Sequence, residues 1–323
     1  MSSGRKVYIN GIYVDEEEAK VSIFDSALMF GDMVFEMTRS FNKQQFKLRE
    51  HLERLYTGLR IFRIPIKTSI DELESICLET IAVNEKVFEE NDEHRLMINV
   101  SRGPLGIYAP VFGGKIEPTI VVADFPLKWT VASMAPLYET GINAVIPSQR
   151  AIPAHLMDPK IKNRSRVFYQ MANIEVAQYK GENNWALLID PDGFITEGTG
   201  DNFFLVKDGK IFTPEGRNIL KGISRDYIFE LANSLGIECV EKNLEAFDVY
   251  EADEAFMTGT PFCLLPTTSL NSLKIGNGTM GPISNQLLEL WSKNVGLDIK
   301  TQIKDYFEEV GSKTLKGPSP YKF

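Results

Sequence analysis

Two groups of residues in the middle of the chain have the types and spacing for chemistry. The first is the basic run 160–166, which holds two lysines and two arginines. A lysine beside arginines feels like charges, which favour its neutral, nucleophilic form. The second group is Thr196, Glu197 and Gly198, which follows the turn 190–193. A carboxylate there can stabilise a protonated ring nitrogen.

These two groups suit the opposite ends of a pyridoxal phosphate ring. The cofactor's aldehyde needs an amine that later moves protons at the substrate α-carbon, and its pyridine nitrogen needs a carboxylate that keeps it protonated. The amine candidates are Lys162, Lys160 and Lys221. The residues alone leave another interpretation open, in which the run is a solvated basic loop and Glu197 an ordinary turn carboxylate.

The order of elements around these groups resembles the class IV aminotransferases, which are fold-type IV pyridoxal phosphate enzymes. The family pattern is a lysine that opens a helix, then a strand and a turn, then Thr/Ser-Glu-Gly-x-x-x-Asn. This chain has Ile161-Lys162 at the first place and Thr-Glu-Gly-Thr-Gly-Asp-Asn at 196–202. The resemblance extends from Val7 to about Leu288. It implies that Lys162 is the catalytic amine and that Glu197 and Gly198 bind the cofactor.

Three other segments resemble the family's phosphate-binding segments. Residues 51–55 read His-Leu-Glu-Arg-Leu, and the arginine can offer a planar fork to a phosphate. Residues 221–225 read Lys-Gly-Ile-Ser-Arg and open a helix, whose N-terminus favours an anion. The third segment is the small-residue turn after residue 258. The resemblance implies phosphate contacts from Arg54, Ile223, Ser224 and Thr260. From the residues alone, a surface arginine and an ordinary capped helix are equally open.

The predicted substrate pocket contains Phe30, Phe35, Arg39, Trp129, Thr260, Pro261 and Phe262. The resemblance implies that the first three face the active site and that the backbone of Pro261 and Phe262 lies where substrate carboxylates are bound. The aromatic members could equally belong to the core, and Trp129 could simply pack in a connecting segment. Pro261 departs from the family's pattern of backbone donors, because proline has no N–H. The loop 104–108 lacks the extra basic residues with which D-amino-acid enzymes bind a carboxylate.

The function implied by the resemblance is transfer of an amino group from a branched-chain amino acid to a 2-oxo acid such as 2-oxoglutarate. The alternatives are an (R)-selective amine or D-amino-acid transaminase, and a lyase similar to aminodeoxychorismate lyase. A nicotinamide enzyme would need Gly-x-Gly-x-x-Gly after an early strand, which the chain lacks. The group that contacts the cofactor's ring hydroxyl stays open, because Tyr169 comes later after Lys162 than expected.

The elements that position these groups follow from periodicity and turn signals. The predicted elements are a hairpin about Asn10-Gly11, helices at 49–61, 69–88, 167–179, 223–235 and 281–295, strands at 34–39, 95–100, 119–122, 185–189 and 255–258, and a hairpin at 203–213. The resemblance implies an α/β (α+β) fold of fold type IV with the cofactor at the domain interface. The predicted parts are a small N-terminal domain at 1–125, a connection at 126–140, a large cofactor-binding domain at 141–310 and a tail at 311–323.

Composition excludes few functions, but it limits the classes of binding partner. The 35 basic and 44 acidic residues give a net charge of −9, which argues against nucleic acid and anionic membranes. Three cysteines and three histidines show no disulfide or metal-site spacing. No apolar segment for export or membrane insertion is present, so the sequence predicts a cytoplasmic enzyme of small molecules. The resemblance adds a homodimer or larger homo-oligomer.

Overall fold

The computed structural model describes residues 4–310, so the predicted tail, residues 311–323, lies outside the described part of the chain. The chain divides into two compact units. Within residues 4–310, the first consists of residues 4–129 and 161–166, and the second of residues 130–160 and 167–310. The predicted large domain, 141–310, includes the basic segment 161–166, which belongs to the first of these units.

The first unit is built on an antiparallel sheet with the strand order β2-β1-β7-β6-β3. The strands of this unit are β1 (Lys6–Ile9), β2 (Ile12–Asp15), β3 (Met33–Met37), β4 (Ser40–Phe41), β5 (Gln44–Gln45), β6 (His94–Ser101) and β7 (Thr119–Pro126). The helices are α1 (Ser26–Phe30), α2 (Leu48–Ile61) and α3 (Ile70–Asn84), with 3-10 helices at Glu16–Glu18, Glu85–Val87 and Gly106–Phe112.

Local sequence explains where these elements turn and begin. Asn10 and Gly11 both have positive φ, at 46° and 97°, as a two-residue hairpin turn of the primed type requires. Asp25 caps α1 by accepting a hydrogen bond from the Ala27 N–H. Ser69 caps α3 in a capping box with Glu72. The predicted hairpin and both predicted helices of this unit are confirmed.

The core of the first unit lies between α2, α3 and the sheet. Leu52, Leu55 and Leu59 of α2 are buried and belong to one cluster with β3 and β6, where Val34 and Leu96 are fully buried. The apolar stripe predicted for this helix therefore faces the sheet. Arg54 lies beside this stripe on the same helix.

The basic segment 161–166 runs along the free edge of β3. The Phe35 N–H donates to the Lys162 carbonyl at 2.9 Å, and the Arg164 N–H donates to the Met33 carbonyl at 3.0 Å. An isolated bridge between Val34 and Asn163 continues this pairing. The backbone of Lys162 is therefore fixed to the sheet of the first unit.

The second unit contains a nine-stranded sheet and most of the remaining helices. Its strands are β8 (Ile142–Val145), β9 (Asn184–Ile189), β10 (Ile195–Gly198), β11 (Asn202–Lys207), β12 (Lys210–Thr213), β13 (Cys239–Glu241), β14 (Glu254–Gly259), β15 (Cys263–Leu270) and β16 (Leu273–Lys274). A short helix, α4 (Lys128–Val131), and a 3-10 helix at Ala132–Met134 precede it. Its helices are α5 (Leu137–Thr140), α6 (Val167–Val176), α7 (Ile223–Ser234), α8 (Ala246–Tyr250), α9 (Pro282–Val295) and α10 (Ile299–Val310).

Six strands of this sheet close into a ring. They pair in the order β10-β9-β8-β15-β14-β11, and β10 also pairs with β11. The pairs β8–β9 and β8–β15 are parallel, and the other pairs of the ring are antiparallel. In the closing pair, Glu197 stands opposite Asn202. Ring closure therefore brings together the two ends of the segment 197–202.

The sequence predicted most of these elements. The predicted helices that became α6, α7 and α9 are confirmed, as are the strand β9 and the hairpin of β11 and β12. Helices α8 and α10 and strand β13 were not predicted. Within residues 4–310, no helix is long and apolar enough to cross a membrane.

Candidate active site

Lys162 of the basic segment lies in a cluster of cations around one phenyl ring in the first unit. Its ammonium nitrogen is 5.1 Å from the centroid of Phe35. The guanidinium carbons of Arg164 and Arg166 are 3.6 Å and 5.0 Å from the same centroid. Three positive charges thus converge on a ring that is 4% exposed. This is the like-charge environment that the sequence predicted for the nucleophilic lysine.

The other two lysine candidates lie in the second unit. The Lys160 ammonium is 2.8 Å from a carboxylate oxygen of Asp158 and donates to the Arg217 carbonyl at 3.2 Å. The Lys221 side chain packs on Gly216, where an added Cβ would lie 3.0 Å from its Cε. Lys160 therefore has a carboxylate partner, in contrast to the cationic neighbours of Lys162.

Arg54 is held by a fully buried carboxylate. Both oxygens of Glu36 accept from the Arg54 guanidinium, at 2.6 Å and 2.8 Å, and one of them also bonds His51 Nδ1 at 2.8 Å. Burial alone would raise the pKa of Glu36, but the charges of Arg54 and His51 outweigh it and hold that pKa well below its usual range. Burial lowers the pKa of His51 and the Glu36 carboxylate raises it, but burial together with the charges of Arg54 and Lys162 leaves that pKa below its usual value.

A pair of buried arginines, Arg39 and Arg95, lies in the first unit. Arg39 is 1% exposed, and its guanidinium stacks on Phe41 at 3.8 Å. Arg95 is also buried, and its Nε and Nη1 find no hydrogen-bond partner within residues 4–310. Burial, with a smaller contribution from Arg39, lowers the pKa of Arg95 to about 10. A buried guanidinium with unsatisfied donors is a candidate receptor for a carboxylate.

Glu197 is buried in the second unit and accepts hydrogen bonds from neutral donors. The Tyr169 hydroxyl donates to one carboxylate oxygen at 2.8 Å. The Asn202 amide and the Leu220 N–H donate to the other at 3.0 Å and 2.9 Å. These donors orient the carboxylate and stabilise its ionised form. They are what a carboxylate needs to hold a protonated ring nitrogen.

Asp201 is a second acidic group beside Glu197. Its Oδ1 is buried and has no hydrogen-bond partner in the described residues. Burial, then the charge of Glu197, raises the pKa of Asp201 to about 8. A Cβ on Gly198 would lie 2.1 Å from Asp201 Oδ1, so glycine is required where the aspartate approaches the strand.

The N-terminus of α7 is tied to the Glu197 cluster. Asn202 donates to Glu197 and also to the Leu220 carbonyl at 2.9 Å. At Gly222, the residue that caps the helix, a Cβ would lie 2.1 Å from Asn202 Oδ1. Ile223 and Ser224 form the first turn, and no side chain caps it. The structure thus joins a carboxylate and a helix N-terminus, which are the two anchors expected for a ring nitrogen and a phosphate.

The remaining predicted residues have different surroundings. Thr260, Pro261 and Phe262 form the turn between β14 and β15 in the second unit. In the first unit, Phe30 is 68% exposed at the end of α1. Trp129 is half-exposed and stacks with the Arg5 guanidinium, 4.4 Å from its ring. Neither Phe30 nor Trp129 is enclosed by the residues of its own unit.

Several residues of these clusters are not among the predicted site residues. Glu36 is one of them, although a charged residue in a predicted buried strand signals a buried ion pair. Arg95 has the same signal at the start of its strand. The contact between Tyr169 and Glu197 has no signal in the sequence, because it depends on how α6 packs on the ring of six strands.

Comparison with known proteins agrees with these observations. The family described as amino-transferase class IV matches residues 33–270. The chain belongs to the class IV aminotransferases. It is an aminotransferase that uses pyridoxal phosphate, with small-molecule substrates.

Three relatives cover nearly the whole chain. A protein of Methanocaldococcus jannaschii is 38% identical over 308 residues, which are 94% of this chain and 100% of its own. The branched-chain-amino-acid aminotransferase of Escherichia coli K12 is 33% identical over 87% of this chain and 90% of its own. The solved branched-chain aminotransferase of Thermoproteus uzoniensis, with norvaline, has a TM-score of 0.78 and 27% identity, covering 94% of this chain and 97% of that one.

Proposed function

We propose that this enzyme transfers the amino group of a branched-chain amino acid to a 2-oxo acid such as 2-oxoglutarate. The observation that carries this choice is the surroundings of Arg95. Phenyl and thioether groups of Phe41, Phe125 and Met37 lie near the Arg39–Arg95 pair. Apolar surface suits an aliphatic side chain, and the unsatisfied guanidinium donors suit the second carboxylate of an acceptor. The names of the E. coli and T. uzoniensis relatives support the same class of amino donor.

In this proposal Lys162 is the amine that exchanges with the substrate amine and then moves a proton at the substrate α-carbon. Its cationic neighbours Arg164 and Arg166 favour the neutral form that this role needs. When bound, pyridoxal phosphate supplies an aldehyde and an electron-withdrawing ring. Glu197 pairs with the ring nitrogen and keeps it protonated. Tyr169 and Asn202 hold that carboxylate in place.

The phosphate is assigned to Arg54, Ile223, Ser224 and Thr260. Ile223 and Ser224 offer backbone N–H groups at the start of α7, next to the strand that carries Glu197. Arg54 is oriented by its bidentate bond with Glu36. A phosphate held at these residues fixes one end of the cofactor, and Glu197 and Gly198 then fix the other. Phe35 and Arg39 are assigned to the substrate.

We also propose that the enzyme is a cytoplasmic homodimer. Residues 21–30 and 105–112 pack together through Phe24 and Tyr108, whose rings are 4.6 Å apart. This surface exposes several large apolar side chains: Ile23, Leu28, Phe30, Ile107 and Val111. Contiguous exposed apolar surface of this kind marks protein–protein contacts. Cys77, Cys239 and Cys263 form no disulfide within residues 4–310, which is compatible with a reducing compartment. Light scattering of the wild type and of Leu28→Asp tests the dimer, which the variant should weaken.

The visible spectrum of the holoenzyme tests the central assignment. The wild type and Lys160→Ala should carry a yellow absorption band that bleaches with L-leucine and returns with 2-oxoglutarate. Lys162→Ala should lack that response although it binds the cofactor. Bleaching only with D-alanine or (R)-1-phenylethylamine would overturn the substrate assignment. A response that survives in Lys162→Ala and disappears in Lys160→Ala would move the catalytic amine to Lys160.

A further inference from the structure

The turn between β14 and β15 has an unusual backbone conformation. Cys263 has φ of 64°, in the region that non-glycine residues rarely adopt. The Leu264 N–H donates to the Phe262 carbonyl at 2.8 Å, two residues back, so Cys263 is the centre of a γ-turn. A γ-turn with positive φ is rare and strained. Such a conformation persists only where the surroundings impose it.

Contacts with Phe262 impose this conformation. Its carbonyl also accepts a hydrogen bond from the Tyr138 hydroxyl at 2.7 Å. Its ring meets Trp185 edge-on, with centroids 5.7 Å apart, and lies so close to Gly259 that a Cβ there would be 2.8 Å from it. Tyr138 is 2% exposed and belongs to α5, far from the turn in sequence. Through this hydrogen bond, the Tyr138 side chain connects α5 to the turn.

The turn has fewer donors than its length suggests. Pro261 has no N–H and holds its own φ fixed. The donors that the turn can offer a carboxylate are therefore the N–H groups of Thr260 and Phe262 and the Thr260 hydroxyl. With so few donors, their direction decides how well the turn binds an anion. That direction changes when the peptide planes on either side of Phe262 rotate.

We propose that Tyr138 is a positioning residue for the substrate carboxylate. Its hydroxyl fixes the Phe262 carbonyl, and so it keeps the strained turn in the orientation that presents the donors of Thr260 and Phe262. This inference rests on the proposed function and on the predicted place of this turn at the substrate carboxylate. Without the hydroxyl, the Phe262 carbonyl keeps only the strained bond with Leu264, and the turn relaxes.

The test removes the hydroxyl with Tyr138→Phe in the full-length holoenzyme. Two competing ligands separate the carboxylate from the rest of leucine: 4-methylvalerate lacks the amino group and 3-methylbutylamine lacks the carboxylate. The KM for L-leucine and the inhibition constant of 4-methylvalerate should rise about fivefold to tenfold, the change expected for one hydrogen bond. The kcat should stay within about twofold, because the binding lost is uniform. The inhibition constant of 3-methylbutylamine should not change.

Two other variants provide the controls. Tyr227→Phe removes another buried tyrosine hydroxyl of the second unit, which accepts from the Asn294 amide at 3.0 Å, and it should keep the wild-type KM. Cys263→Gly makes the positive φ easy to adopt, because glycine has no Cβ. In the Cys263→Gly background, loss of the Tyr138 hydroxyl should therefore raise the KM less than it does alone.

The outcomes separate this inference from the proposed function. A wild-type enzyme that reacts with no amino acid overturns both. A wild type that reacts with L-leucine, with Tyr138→Phe equal to Tyr227→Phe in every constant, overturns only the role of Tyr138. Equal weakening of 4-methylvalerate and 3-methylbutylamine also overturns it, because it indicates a general loss of structure rather than a carboxylate effect.

Discussion

Each unit has a buried glutamate among its candidate site residues, Glu36 in the first and Glu197 in the second, and the two carboxylates are held differently. Glu36 of the first unit is bonded by the Arg54 guanidinium and by the His51 ring. Glu197 of the second unit is bonded by the neutral groups of Tyr169, Asn202 and Leu220. The negative charge of Glu36 is compensated within the protein by the Arg54 guanidinium. The donors at Glu197 orient the carboxylate but bring no positive charge of their own.

This difference separates a carboxylate that builds the fold from one that can act on a ligand. A buried ion pair such as Glu36–Arg54 is satisfied internally, and its loss leaves an uncompensated charge. The neutral donors orient the Glu197 carboxylate in a place with low solvent access, where a carboxylate interacts strongly with a cation. We therefore expect changes at Glu197 to affect turnover and changes at Glu36 to affect stability.

The largest expected effect is on catalysis in Glu197→Gln. The amide keeps the size of the side chain but cannot keep a ring nitrogen protonated. We expect kcat to fall by about 100-fold to 1000-fold, as for other groups that stabilise charge during the reaction. The melting temperature should change little, since an amide can still bond Asn202 and Leu220. Steady-state kinetics with L-leucine and 2-oxoglutarate measure the effect.

A matched control for that variant is Asp190→Asn. Asp190 is also buried in the second unit, and it accepts from the N–H groups of Asp192 and Phe194 in the turn before β10. This variant should lower the melting temperature with kcat close to that of the wild type. Equal losses of kcat in the two variants would mean that Glu197 acts only through the structure.

The complementary change in the first unit is Glu36→Gln. Glu36 is fully buried, so its neutralisation leaves the charge of Arg54 without its bidentate partner. We expect the free energy of unfolding to fall by about 3–5 kcal/mol, measured by urea denaturation. Glu16→Gln breaks a similar bidentate pair with Arg5, which is partly exposed, and should change the same quantity by about 0–1 kcal/mol. Similar losses of unfolding free energy in Glu36→Gln and Glu16→Gln would mean that the buried ion pair contributes no more than the partly exposed one.

A smaller effect is expected when the donors of Glu197 are reduced. Tyr169→Phe removes the hydroxyl that donates to the carboxylate at 2.8 Å. A hydrogen bond to a charged group contributes about 1.5–3 kcal/mol, so kcat should fall by about tenfold to 100-fold. Tyr56→Phe, which removes a hydroxyl bonded to the Thr68 carbonyl, is the control and should keep the wild-type kcat. An unchanged kcat in Tyr169→Phe would show that Glu197 does not need this donor.

Much of the fold could be predicted because its signals are local. The Asn10-Gly11 turn, the Ser69 cap and the apolar stripe of α2 depend on residues close in sequence. Helix α10 was missed, although Ile299, Ile303 and Tyr306 are buried at intervals of four and three. Its stripe is short and lies among charged residues, so periodicity alone does not distinguish it from a polar tail.

The partners of the site residues could not be predicted, because they depend on tertiary packing. The match to the family pattern was enough to select Glu197 and Arg54. It could not show that Asn202 joins Glu197 to the start of α7, because that link depends on closure of the strand ring. Nor could it show that 161–166 pairs with β3, since an irregular segment at a sheet edge has no periodicity of its own.

The finest test of the comparison uses Asp201, the acid beside Glu197. Its pKa is raised to about 8, whereas an aspartate in the unfolded chain titrates near 4. Between these values the folded protein holds one proton more than the unfolded chain, so its stability decreases as the pH rises. Asp201→Asn does not titrate and lacks this decrease.

We therefore expect the melting temperature of Asp201→Asn, relative to that of the wild type, to rise by a few degrees between pH 5 and pH 8. Asp192→Asn, in the exposed part of the 190–193 turn, should follow the wild type across the same range. Parallel profiles for Asp201→Asn and the wild type would mean that Asp201 is ionised at pH 5. Glu197 would then have a permanent negative neighbour, whereas the neighbour of Glu36 is the Arg54 guanidinium.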